Sequence, residues 1–172
     1  MASFPSSYIV TTSASATRAA DSLSITGVTG LDYPLSLFAE FERAADTGGS
    51  EALVTADDNS SADRALLYVD GSDRAALITT ASSVAQSGPS VAGALAIGTQ
   101  YKAAARVTTN DIQMARSGTL ATQDTSAANP ATPSVVRFGA STSGWYASFG
   151  YLRRAAIWSR ALTDAELQAV TL

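Results

Sequence analysis

The sequence predicts an all-β fold: a two-sheet antiparallel sandwich of the jelly-roll kind, closed by one short C-terminal helix after Arg160. Three observations predict it. The segment Leu35–Glu42 alternates with period two, placing Leu35, Leu37, Ala39 and Phe41 on one face and Ser36, Phe38, Glu40 and Glu42 on the other. Short apolar runs recur along the chain, separated by turn residues such as Asp70-Gly71 and Asn110-Asp111. Before position 160 no stretch carries a convincing 3.6-residue period, and many short strands with punctuating turns build a sandwich or jelly roll.

Taken in order, strands are expected at Tyr8–Thr11, Asp21–Ile25 and Leu35–Glu42, the last with one face in the core and one in water. Leu53–Ala56 follows. Leu66–Val69 and Ala75–Thr79 form a hairpin through Asp70-Gly71, a dipeptide that readily takes positive φ. A strand at Ala94–Gly98 precedes a second hairpin, in which Tyr101–Thr108 turns at Asn110-Asp111 into Ile112–Ala115. Ala121–Pro133, with Asn129-Pro130 and Thr132-Pro133, is too polar and proline-rich for a strand and is expected as an exposed loop. Val135–Gly139 and Tyr146–Trp158 complete the sheets. A change of alternation between Tyr151 and Ile157 implies a β-bulge that aims Arg153 and Arg154 outward.

The helix is signalled by its start. Thr163 can accept from the Glu166 amide while the Glu166 carboxylate accepts from the Thr163 amide, and Leu162 is placed to pack on Leu167. Asp164 complements the positive end of the helix dipole, and Leu167 with Val170 forms a narrow apolar stripe. So short a helix is stable only when docked on a sheet.

Composition narrows the function. At 172 residues the chain fits one domain, residues 1–172, able to bury roughly 70% of its unfolded surface without crosslinks. It has no cysteine, which removes disulfides, thiolate metal sites and a Cys nucleophile, and no histidine, which removes the Ser-His-Asp arrangement and imidazole ligation. Few enzyme mechanisms survive that, so a non-enzymatic protein with no cofactor is expected. The net charge is −4 and Lys102 is the only lysine, which argues against nucleic acid as a partner. The N-terminus carries neither a basic n-region nor an apolar h-region, and no window nears the ~18 apolar residues of a membrane span, so a soluble chain without a membrane partner is expected.

The stretch Gly150-Tyr151-Leu152-Arg153-Arg154-Ala155-Ala156-Ile157-Trp158-Ser159-Arg160-Ala161-Leu162-Thr163-Asp164-Ala165-Glu166-Leu167 resembles the closing strand and terminal helix of concanavalin A-like, laminin G-like jelly-roll domains. Pro5–Thr12 followed by Thr17–Asp21, and Tyr101–Arg106 followed by Asn110-Asp111-Ile112, are similar to the version found in tailed-bacteriophage virion proteins. The resemblance implies a virion surface protein, a head decoration, head fibre or tail-fibre module, assembled in the host cytoplasm and exposed outside the cell. It further implies capsid or tail proteins as partners, homo-oligomerisation, and binding of host-surface carbohydrate. A structural cement protein without a glycan ligand is the alternative, and a glucanase-type polysaccharide-degrading enzyme a third reading.

The candidate sites are few. Glu40 and Glu42 point to one face, as the paired carboxylates of glucanases do, but Ala39-Glu40-Phe41-Glu42-Arg43 lacks the third acid of that Glu-x-Asp-x-x-Glu signature; solvated carboxylates beside Arg43 are the competing account, and no catalytic residue is assigned. Asp57, Asp58, Asn59 and Asp63 gather oxygen ligands and are candidates for a structural calcium, although turns attract the same residues for backbone reasons. Trp145 and Tyr146, after Ser143-Gly144, are the candidate sugar-stacking aromatics, with Arg153 as a further ligand contact, whereas Phe149 and Trp158 are expected to fill the sandwich.

Overall fold

A computed structural model describes residues 23–86, 88–142, 146–148 and 150–172. The expected strand Tyr8–Thr11 and the expected core residue Phe149 lie outside the described residues. Two antiparallel sheets face one another. In the first, the order is β1 (Leu23–Thr26), β10 (Val135–Phe138), β3 (Glu51–Asp57), β4 (Arg64–Val69), β5 (Ala75–Ala81) and β6 (Val84–Ala85). In the second it is β11 (Gly150–Trp158), β2 (Leu35–Arg43), β7 (Gln100–Thr108), β8 (Asp111–Arg116) and β9 (Thr119–Leu120). A single helix among the described residues, α1 (Asp164–Thr171), packs on the outside of the second sheet.

Alternation decides what each strand buries. Leu35, Leu37, Ala39 and Phe41 of β2 point inward with Ala103, Ala105 and Val107 of β7, and meet Val54, Leu67, Val69 and Leu77 from the first sheet. Each buried Leu or Phe contributes about 1.5–3 kcal/mol of transfer free energy, so this layer supplies the main driving force for folding. The β7–β8 hairpin turns as expected, with Asn110 at φ 57°.

The outer face of β2 departs from the expected wet face. Ser36 is fully buried, Phe38 is 8% exposed and Glu40 6%. The reason is the chain entering α1: the Ser36 hydroxyl donates to the Arg160 carbonyl and accepts from the Leu162 amide, both at 2.9 Å. Leu162 and Leu167 then close over Phe38, Ala104 and Ala115, so the expected staple pair belongs to a second, outer cluster. Trp158 joins that outer cluster rather than the sandwich interior, because Ile157 opposite Leu37 takes the inward position and the next residue must point out. Its ring meets Phe38 edge-on at 6.3 Å. The capping box forms in full, the Thr163 amide donating to Glu166 Oε2 at 2.8 Å and the Glu166 amide to Thr163 Oγ1 at 3.3 Å.

Other expectations shift for local reasons. Residues 94–98 form a loop, not a strand: the Leu95 amide donates to the Asp73 carbonyl, its own carbonyl accepts from Arg43, and its buried side chain plugs the core. The β4–β5 turn spans residues 70–74 and places positive φ at Asp73 (60°) rather than Gly71, with the Asp70 carboxylate accepting from the amides of Ser72 and Arg74. Residues 121–133 do form a loop, but Ala127, Pro130 and Pro133 are buried, so it seals one end of the sandwich. The two-residue strands β6 and β9 carried no sequence signal long enough to read. In β11 the bulge lies between Leu152 and Arg154, within the expected stretch. Gly150 opens that strand where only glycine fits, since a Cβ there would sit 2.1 Å from the Glu42 carbonyl oxygen. No helix among the described residues is long and apolar enough to cross a membrane.

Candidate functional site

Residues 139–142 and 146–148, between β10 and β11, are held against the outer face of the first sheet as a strap. Its ends are tied together, the Ser148 amide donating to the Gly139 carbonyl at 2.8 Å. A bulge at Leu53 in β3 supplies the anchors: the Gly139 amide donates to the Leu53 carbonyl at 3.0 Å and the Ala52 amide to the Tyr146 carbonyl at 2.7 Å. Side chains of the sheet and the neighbouring loop complete the attachment. Thr55 Oγ1 donates to the Ala140 carbonyl, Arg64 Nη1 to Ser141 Oγ, and Thr142 Oγ1 to the Ser60 carbonyl, at 3.1 Å each. A loop held this way on a rigid sheet is a suitable carrier for binding residues.

Among the described residues of this strap Tyr146 is the exposed aromatic, with φ 57°, a conformation rare for a residue with a side chain. Its carbonyl is tied to Ala52, which stands opposite Tyr68 on the outward row of β4, and Arg64 lies four residues back along the same row. Burial pushes the Tyr68 phenol up; Asp70 and Tyr146 add to the shift, and Arg74 and Arg64 oppose it. Arg74 is already matched, its Nε 2.9 Å and Nη2 2.7 Å from Asp70 Oδ2. Arg64 is not. Its Nε is buried without a hydrogen-bond partner, and no carboxylate pairs with it among the described residues. A half-buried guanidinium and two phenols on one outer face suit a ligand that offers an anionic oxygen and a ring face. Sequence reading missed Arg64 and Tyr68 because nothing in their spacing separates them from ordinary strand residues; only the strap brings Tyr146 to the end of β3 opposite Tyr68.

Trp145 lies outside the described residues. Arg153 is not in this cluster: it projects from the β11 bulge on the second sheet and ion-pairs with Glu42. Arg154 does the same with Glu40, which also accepts from Gln100. The two carboxylates considered for acid–base chemistry are thus each held by an arginine, and Glu40 is buried rather than solvated.

Each candidate ligand in the oxygen-rich loop after β3 has a side-chain oxygen engaged by protein donors. Asp57, fully buried, accepts from Arg137 Nε at 2.8 Å through Oδ2 and from the Asn59 amide through Oδ1. Asp58 accepts from the Ser60 amide and hydroxyl, Asn59 Oδ1 accepts from Arg137 Nη2, and Asp63 Oδ1 accepts from the amides of Ser82 and Ala131. Among the described residues no three acidic side chains gather where a metal could sit, and Asp57, Asp58, Asn59 and Asp63, the candidate calcium ligands, serve turns and an ion pair.

No family model matches the chain, and no curated protein does. Solved structures do. Ruminococcus gnavus IT-sialidase CBM40 bound to α2,6 sialyllactose matches with a TM-score of 0.68 at 14% identity, covering 87% of this chain and 98% of that one. The native heptameric SAP-like pentraxin from Limulus polyphemus matches at 0.62 with 13% identity, over 90% of this chain and 83% of that chain. Mouse laminin α1 chain domains LG4-5 match at 0.61 with 12% identity, over 86% and 41% respectively. The fold is therefore the jelly-roll sandwich of concanavalin A-like, laminin G-like domains.

Proposed function

We propose that this chain is a non-enzymatic carbohydrate-binding module of a bacteriophage particle, a head decoration, head fibre or tail-fibre part, that recognises an acidic host-surface glycan through the outer face of its first sheet. The observation that carries the reading is the exposed Tyr146, tied by its carbonyl to Ala52 opposite Tyr68, with Arg64 on the same outward row of β4. A pyranose ring stacks on a phenol while its carboxylate meets the Arg64 Nη groups. The likeness to a carbohydrate-binding module solved with both α2,3 and α2,6 sialyllactose supports the glycan half of the proposal. The similarity of Pro5–Thr12 and Tyr101–Arg106 to phage virion domains supports the particle half. Copies of the chain and capsid or tail proteins are its proposed partners, since virions are built by symmetry.

The test is a glycan array followed by titration calorimetry, comparing a carboxylate-bearing glycan such as sialyllactose with neutral lactose. Binding of the acidic member that is lost in Arg64→Gln supports the proposal. Blank arrays together with binding to capsid shells would replace it with a cement role.

A further inference from the structure

Asp57 and Arg64 stand directly opposite one another where β3 gives way to β4, and both point outward, since their neighbours Ala56 and Ala65 fill the core. Unlike charges placed this way across a ladder ordinarily pair. Here no ion pair joins them, because each is engaged elsewhere. Arg137 of β10 donates to both Asp57 oxygens, Nε to Oδ2 at 2.8 Å and Nη2 to Oδ1 at 3.3 Å. Arg64 reaches instead to the strap, its Nη1 donating to Ser141 Oγ at 3.1 Å.

The strap fixes that acceptor in place. Ser141 is 1% exposed, so its hydroxyl faces protein and not a ligand. The residues on either side are anchored: the Ala140 carbonyl accepts from Thr55 Oγ1, and Thr142 Oγ1 donates to the Ser60 carbonyl, each at 3.1 Å. An acceptor held this firmly orients the whole guanidinium, because its donors form a rigid planar fork. The Nη2 group makes no hydrogen bond among the described residues and, unlike the buried Nε, reaches solvent.

We propose that Ser141 is a positioning residue of the strap site, which holds the Arg64 guanidinium off Asp57 and leaves Nη2 for an acidic ligand. The inference rests on the glycan reading above, and Ser141 itself touches no ligand in it. Without the Ser141 hydroxyl, Nη1 turns to the carboxylate across the ladder, and the charge that would meet the ligand is matched within the protein.

The test compares Ser141→Ala with Thr142→Val, which removes a strap bond of the same length that does not involve Arg64. Titration calorimetry with sialyllactose should show about fivefold weaker binding in Ser141→Ala and parental affinity in Thr142→Val. In nuclear magnetic resonance spectra of the isotope-labelled chain, the Arg64 side-chain signals, assigned by their loss in Arg64→Gln, should move in Ser141→Ala and stay in place in Thr142→Val. Undiminished affinity in Ser141→Ala, an equal loss in Thr142→Val, or Arg64 signals that do not move in Ser141→Ala would each overturn the role of Ser141 and leave the glycan site standing. Failure of the unaltered chain to bind sialyllactose overturns the glycan site, and the part of Ser141 in it, even where the Arg64 signals move.

Discussion

Arg43 and Glu51 form an ion pair inside the sandwich, Nη2 to Oε1 at 3.0 Å, with side chains only 2% and 1% exposed. The same guanidinium reaches Asp73 at 2.7 Å through Nη1 and the Leu95 carbonyl, so one residue at the end of β2 joins the start of β3, the β4–β5 turn and the 94–98 loop. Removing Arg43 strands the buried Glu51 carboxylate, whereas removing Glu51 leaves Arg43 with Asp73. Arg43→Met is expected to destabilise by about 3–5 kcal/mol, whereas the double variant Arg43→Met/Glu51→Leu recovers a large part of the loss. Urea denaturation of the single and double variants measures this; equal losses in both would show that the pair's charge is not what matters.

The helix start titrates. Glu166, held by hydrogen bonds from the Arg160 guanidinium and the Thr163 amide, has its carboxyl lowered from 4.5 to about 2. Because the folded value is depressed, its contribution is present above about pH 4.5 and fades as the pH falls toward about 2. The group is exposed, so the effect is small and screened by salt. Thermal melts of the parent and Glu166→Gln should differ near neutral pH and converge in strong acid. Thr163→Ala removes the cap itself and should cost about 1 kcal/mol.

Asp57 and Arg137 bear on the metal question. With Asp57, Asp58, Asn59 and Asp63 serving backbone amides and Arg137, millimolar calcium or EDTA should leave the melting temperature unchanged. A clear rise on adding calcium would restore a structural metal at this loop. Arg137→Ala should be destabilising by about 3 kcal/mol, since it leaves the buried Asp57 carboxylate without its counter-ion.

For the strap site, Arg64→Gln and Tyr146→Ala should each weaken an acidic glycan about tenfold or more. They should differ in salt response: affinity for the Tyr146 variant still falls with ionic strength, and that of the Arg64 variant does not. Both variants should keep near-parental melting temperatures, because Tyr146 is exposed and Arg64 gives the fold a single hydrogen bond to Ser141.

Much of the fold was legible because it rests on local rules. Period two in Leu35–Glu42, the Asn110 turn, the bulge before Ile157 and the Thr163–Glu166 box each need only neighbours in the chain. The failures share one cause. Whether Glu40 is wet, whether Trp158 faces inward and whether Leu95 lies in a strand depend on what covers or pairs them from elsewhere, and a single chain segment does not carry that information.

By itself the sequence determined that this protein is a two-layer β-sandwich with one docked terminal helix, free of cysteine and histidine chemistry, since alternation, turn residues, caps and composition are local properties. Tertiary structure alone decided which side chains meet. It set Glu40 and Glu42 against Arg154 and Arg153, engaged the acidic loop with its own amides and Arg137, and brought Tyr146 on its strap to Tyr68. Long-range register and loop closure create such contacts, and they become fixed only when the two sheets and the strap pack together.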